Sequence, residues 1–457
     1  MNRPDRDSVR NATGYLSLLQ LAWPIILANS SAPLLGLVDT AVIGHTGNSA
    51  QVGALALGGL IFGFMYWSMG FLRMGTTGFT ARADGAGDES EIRAAAGRAL
   101  LLGLGIGAVF LALQWPLLRG ALLLLGGSEA VEGATAEYFA YRIWGAPAAL
   151  GSFALMGLFI GLGKSGYLLA AQLFLNGLNV TLDLWFAGWL GWGVAGVGLG
   201  TALAEWAAFG LSLWLAWRLL GGRHNDVLPF LPLDKLRDSA GWRATLRANS
   251  DIMLRTLLML AAFSFFINSG AGFGDAVLAA NHILLQLISL SAFFLDGFAN
   301  AVEPMVGRAA GQGNLRQFDR AARRSLHLAA VTAMLLATLI AAFGPLAVGW
   351  MTDLTPLRVL AGQYMPFCAI YVLLSFGAFQ LDGIFIGTSR TAAMRNMSLL
   401  SVAVFLAAGV PAAALAGNTG LWICFILYVA ARAVTLAFCM PALRRNIRQS
   451  QTASDPE

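Results

Sequence analysis

What most constrains this chain is the length of its apolar runs. From Leu16 to Gly44 one charged side chain, Asp39, interrupts the run, and no Lys or Arg occurs between Arg10 and Arg73. Similar runs recur along all 457 residues, which are 57% hydrophobic and 12% charged, with a mean hydropathy of +0.68. Soluble domains carry nearer a quarter charged residues, so a water-soluble fold is excluded. A membrane helix needs about 20 apolar residues, and the runs are continuous over that length. They do not alternate over about ten residues as barrel strands would. The chain is therefore expected to be an all-α polytopic protein whose solvent is the lipid bilayer.

Twelve segments can be placed, at 15–44, 52–80, 94–125, 134–160, 166–190, 193–220, 248–270, 276–306, 322–350, 357–386, 391–413 and 417–442. The one substantial polar break predicts an N-lobe over 1–220, a linker over 221–247 and a C-lobe over 248–457, with six helices in each lobe. Loops from even to odd segments hold most of the bases, among them Arg82, Arg93, Lys164, Arg223, Lys235, Arg237, Arg308, Arg316, Arg320, Arg390 and Arg395. The opposite loops hold Arg119 and Arg358 and little else. Excess Lys and Arg marks the cytoplasmic side, so both termini are expected in the cytoplasm. The net charge of +5 then reflects membrane orientation rather than nucleic-acid binding. The basic start, MNRPDRDSVRNATGY, is followed by no small-residue cleavage site, and the first segment reads as a retained helix. Cys368, Cys424 and Cys439 lie singly, without metal or disulfide spacing. No catalytic constellation stands out, so neither an enzyme nor a cofactor is expected.

The halves repeat. A shift of 226 residues brings ARADGAGD (81–88) onto GRAAGQGN (307–314), GLFIG (157–161) onto GIFIG (383–387), and Tyr138 onto Tyr364. With an even number of helices per repeat the halves insert in parallel, an architecture found in transporters.

Ionisable groups inside spans point to function by default. Counting depth at about 1.5 Å per residue places Asp39 of the first segment, Asp183 of the fifth, Thr201 of the sixth and Tyr138 of the fourth in one outer layer. Asn179 shares the face of Asp183 four residues on, and Asn176 precedes it by three. Burial and like-charge repulsion would make two such acids a reversible proton carrier. The oxygens of Asp39, Asn179, Asp183 and Thr201 could also take Na⁺, the alternative to the proton as coupling ion. The repeat partners of the acids are Phe265 and Gly409, so the pair exists in one half only. Glu205 is placed to pair with Arg142, and Asp251 with Arg255 four residues on. Asp296, Glu303 and Asp382 lie toward cytoplasmic ends near Arg308 and Arg390, where capping or interfacial pairing is expected. Pro24 removes a ladder hydrogen bond from the first helix, and Asn29, Ser30 and Ser31 offer local compensation beside Pro33. Glycines in GWGVAGVGLG (191–200) permit close packing at the start of the sixth helix.

The motifs LVDTAVIGHTG and NVTLD, with two six-helix halves and a central linker, resemble the multidrug and toxic compound extrusion (MATE) family in its DinF-like branch. That resemblance covers essentially the whole chain. It implies a monomeric antiporter of a bacterial inner membrane that exports amphipathic, often cationic, compounds against H⁺ or Na⁺. By motif it assigns the coupling site to Asp39, Tyr138, Asn179, Asp183 and Thr201, and the helix bend to Pro24. Acids that another branch uses in the C-lobe are not clearly reproduced by Asp296 and Asp382. A lipid-linked precursor flippase is the alternative, and Arg73, Arg142 and Arg255 are its few candidate cavity cations.

Overall fold

The computed structural model describes residues 14–223 and 229–454. The basic N-terminal stretch and residues 224–228 of the linker lie outside the described residues. Every regular element among the described residues is helical. In order these are α1 (Tyr15–Thr46), α2 (Ser49–Ser68), α3 (Phe71–Ala86), α4 (Glu89–Ala112), α5 (Gln114–Leu125), α6 (Glu129–Arg142) and α7 (Ala146–Gly161). There follow α8 (Ser165–Asp183), α9 (Gly193–Gly221), α10 (Leu233–Leu236), α11 (Ser239–Ala271), α12 (Asp275–Gly311), α13 (Leu315–Met351), α14 (Thr355–Gly387) and α15 (Thr391–Ser454).

Among the described residues, ten helical stretches are long and apolar enough to cross a membrane. Helix α8, prolonged to Trp189 by a π-helical turn, has the length of a further span but is not one of the ten, since it carries Asn176, Asn179 and Asp183. The last stretch counts twice, because Gly417 breaks α15 with a φ of 59°. With α8 counted by its length, twelve spans result. Helix α1 runs unbroken through Pro24, and the Ser31 hydroxyl donates to the Ala28 carbonyl at 2.7 Å, which is not the carbonyl that either Pro24 or Pro33 leaves without its ladder partner.

Packing divides the chain into two compact units. The C-terminal unit holds the described residues up to Ile26, Asp84–Ala86 and the chain from Ala248 onward; the N-terminal unit holds Leu27–Ala83 and Gly87–Arg247. The division cuts α1 just beyond Pro24. Within the C-terminal unit the core is aromatic: Phe425 stacks on Phe266 at 4.4 Å and on Tyr371 at 4.5 Å. Also inside it, Asn281 and Asn418 exchange amide hydrogen bonds of 2.8 and 3.1 Å, and the Trp422 indole donates to Asn281 at 2.9 Å. In the N-terminal unit, Phe62, Tyr138 and Phe139 centre a core with Ile43, Ile143 and Val197.

The internal repeat is physical. Asp88 and Asn314, one repeat apart, cap α4 and α13 by accepting from Glu91 N at 2.9 Å and Gln317 N at 3.0 Å. Gly87 and Gly313 before them take left-handed turns, with φ of 71° and 65°. Gly157 and Gly383 each lie where a Cβ would come within 2.4 Å of a carbonyl, that of Arg73 in one half and Ala299 in the other. At the next turn the halves diverge: Gly163 takes a φ of 67° while its counterpart is Ser389 at 54°, which a side chain adopts only under strain.

The linker folds onto α4 of the N-terminal unit. Arg93 donates to the Leu220 carbonyl at 2.8 Å, Lys235 Nζ lies 3.2 Å from Asp88 Oδ2, and Arg223 grips Glu89 at 2.9 Å. Arg98, 1% exposed, bonds Glu91 and the Lys235 carbonyl. Several of the loop bases thus also hold the linker down.

Candidate functional site

Four helices of the N-terminal unit bring the expected residues together. Asp39 from α1, Asn179 and Asp183 from α8, Thr201 from α9 and Tyr138 from α6 are all buried. Asp183 is the last residue of α8, and the six residues after it wind as a π-helix, Leu184–Trp189. Such π turns are uncommon and collect at functional sites. Helix α9 approaches closely because Gly200 faces Asp183: a Cβ there would stand 2.6 Å from Asp183 Oδ1. The glycine run at the start of α9 therefore does the packing its composition predicts.

The carboxyl groups of Asp39 and Asp183 lie side by side and interact directly. Asp39 Oδ1 and both oxygens of Asp183 find no protein donor. An acceptor facing an acceptor is satisfied only when a proton or a cation lies between them, and leaving such a group unsatisfied is costly. Beside the pair, Asn179 Nδ2 donates to Thr201 Oγ1 at 2.9 Å, and Thr201 donates on to the Val197 carbonyl at 2.9 Å. Asn179 is thereby fixed with its Oδ1 buried and without a donor. Asn176 stands half-buried one turn away, accepting from Gln172 at 3.1 Å.

Tyr138 is an electrostatic neighbour of Asp39, but its phenol accepts a hydrogen bond from Arg142. The Arg142 guanidinium also lies over the Phe62 ring, 4.6 Å from its centre. The pairing expected between Arg142 and Glu205 is not formed: no ion pair joins them within 4 Å among the described residues. Aromatic faces and the Tyr138 oxygen take the cation instead, and Glu205 Oε2 stays buried without a donor. Tyr66 joins this second group, its hydroxyl buried and also without a partner. Tyr66 was not among the sequence candidates; the i, i+4 aromatic pair Phe62–Tyr66 was its only signal.

Asp296 and Asp382 belong to the C-terminal unit and do not join the acid pair. Asp382 is not held by Arg308 or Arg390 as expected. It lies between Arg255 and Arg432, the latter at 2.6 Å. Arg432 was missed because only the packing of α15 on α14 brings it there. The expected Asp251–Arg255 pair is also absent: Asp251 turns to Arg395 at 2.5 Å and Thr391 at 3.0 Å. Within one helix an i, i+4 pair is worth a few tenths of a kcal/mol, so buried partners on neighbouring helices prevail. Asp296 is half-buried on α12. Among the described residues no three His, Cys, Asp or Glu side chains gather as a metal site.

Membrane-length helices in repeated halves, with a pair of donorless buried acids in one half, are the architecture of a membrane transporter. The MatE family model matches residues 24–185 and 252–411. The chain is 34% identical over 423 residues to the DNA damage-inducible protein F of Escherichia coli K12, covering 92% of this chain and 91% of that one. It is 26% identical to the probable multidrug resistance protein NorM of Neisseria meningitidis serogroup B, over 95% of this chain and 96% of the relative. A solved MATE structure in the bent conformation superposes with a TM-score of 0.85 at 20% identity, over 95% of this chain and 96% of the other, a likeness of fold alone. The chain belongs to the MatE family.

Proposed function

We propose that this transporter exports amphipathic, often cationic, small molecules across a bacterial inner membrane in exchange for protons, with both termini cytoplasmic and one chain as the working unit. The observation that carries the coupling is the Asp39–Asp183 contact, two buried carboxyls with no protein donor between them. A proton shared by the pair satisfies it. Losing that proton leaves like charges in contact, worth about 4 kcal/mol at 4 Å and an effective dielectric of 20. Because Asp39 rides on α1, its protonation state bears on a helix already weakened at Pro24. Names given to relatives, multidrug resistance among them, support the substrate class.

Sodium is the second reading, favoured by the donorless Asn179 Oδ1 beside the acids. It would use Asp39, Asn179 and Asp183, with Thr201 contributing less because its hydroxyl is engaged twice. For the flippase alternative, Arg142 is occupied by Tyr138 and Phe62, while Arg255 shares the single carboxylate of Asp382 with Arg432. Dye accumulation in everted vesicles, with a pH or Na⁺ gradient imposed separately, tests the reading. Proton-driven accumulation lost in Asp39→Asn is expected. An Asp39→Asn protein that folds and keeps full proton-driven efflux would overturn it.

A further inference from the structure

The repeat leaves one face covered in the N-terminal unit and open in the other. On α4 the linker covers it: Leu231 and Leu236 lie within about 3 Å of the position a Gly97 Cβ would take, and Arg98 bonds the Lys235 carbonyl. One repeat on, Ser90, Ala94, Gly97 and Arg98 become Arg316, Arg320, Arg323 and Arg324 of α13. Among the described residues, none from the linker lines this face. The corresponding surface is a cavity of about 440 Å³, lined by those four arginines with Tyr15 and His327. Its one carboxylate among the described residues, Asp319, is engaged by Arg444 at 2.7 Å. Among the described residues, Arg316, Arg320 and Arg323 have no carboxylate within 4 Å. Tyr15 at the start of α1 forms one wall, its hydroxyl 3.2 Å from His327 Nδ1 and its ring 5.3 Å from the Arg324 guanidinium.

A cavity this basic calls for an anion, and its surroundings say which kind. Arg316, Arg320, Arg323 and His327 share a helical face. The same face continues as Val331, Met334 and Leu335, exposed by 67%, 62% and 58%. On α1 the matching surface carries Leu16 at 68% and Trp23 at 54% exposure. A charged pocket running into bare apolar helix suits a headgroup with tails better than a free ion. The α12–α13 loop lies on the arginine-rich side, where anionic lipid heads meet juxtamembrane bases.

We propose that this cavity binds the headgroup of an anionic glycerophospholipid of the cytoplasmic leaflet, with acyl chains along Val331, Met334 and Leu335. Held there, the lipid bridges α13 to the first turn of α1 and stands in for the linker that covers the equivalent face of the other unit.

The test uses the full-length protein in neutral detergent, with phosphatidylglycerol or phosphatidylcholine added and retained lipid counted by native mass spectrometry. Wild type should retain phosphatidylglycerol selectively. R316Q/R320Q/R323Q should weaken that retention about a hundredfold, while the same charge change at Arg237, Arg243 and Arg247 leaves it intact. Equal retention by the first variant, or equal loss in the second, would overturn the proposal. Displacement of the lipid by millimolar inorganic phosphate would also overturn it, assigning the cavity to a free anion.

Discussion

Gly200→Ala isolates the geometry of the acid pair without touching either acid. A methyl group there would stand 2.6 Å from Asp183 Oδ1, and ordinary contact begins at 3.4 Å, so the oxygen must retreat by about 0.8 Å. The same methyl would come 3.2 Å from Leu182 Cβ and 3.4 Å from the Asp183 amide, so backbone adjustment offers little relief. A hydrogen bond stretched by that much falls outside the useful range. Bonds involving a charged group contribute about 1.5–3 kcal/mol, which corresponds to roughly a tenfold to hundredfold fall in proton-driven transport. Stability should fall too, by about 1–3 kcal/mol for overpacking. Gly210→Ala on the same helix meets nothing within 4 Å and is the control. There the usual gain of about 1 kcal/mol in helix propensity should appear, with transport unchanged. The assay is dye efflux under an imposed pH gradient, alongside thermal unfolding in detergent. A folded Gly200→Ala protein that transports like Gly210→Ala would refute the claim that Asp183 must sit against Asp39.

Two further outcomes follow from the charges outside that pair. Asp382→Asn leaves Arg255 and Arg432 buried without a counter-charge, and breaking such a group costs about 3–5 kcal/mol; a clear drop in melting temperature is expected, and an unchanged one would show the triad to be slack. At the linker, partial burial disfavours the charged form of Asp88, but hydrogen bonds from Ser90 and the Glu91 amide and the Lys235 ammonium outweigh it and hold the carboxyl below the usual carboxylate range. Its contribution to linker docking is therefore complete above that range and is lost as the pH falls through its own lowered value. Limited proteolysis should find the linker protected at neutral and mildly acidic pH and opening only in stronger acid. Opening in the neutral range would contradict the contact.

The twelve spans and the repeat were legible in the sequence because hydropathy, loop charge and a constant offset are one-dimensional signals. Depth counting sufficed for Asn179 with Thr201 and Asp39 with Asp183, since one layer of adjacent helices leaves few partners. It failed for Asp251, Arg255, Glu205 and Asp382. Their partners depend on how α11, α14 and α15 rotate against one another, or, for Arg142, on a competition between a carboxylate and aromatic faces. Asp88 with Asn314, and Gly163 with Ser389, show the converse: once the offset is known, capping and turn geometry in one half forecast the other. The offset also marks where the halves part, at Asp39 opposite Phe265 and at the linker-covered face opposite the open basic cavity.

Proton release on substrate binding tests the central claim most directly. With the purified protein in weakly buffered detergent solution, adding a fluorescent organic cation should release about one proton per transporter, on the rule of one proton shared by two facing carboxyls. Asp39→Asn and Asp183→Asn should each abolish that release while the protein stays folded. Release undiminished in both variants would place the coupling proton elsewhere and contradict the account.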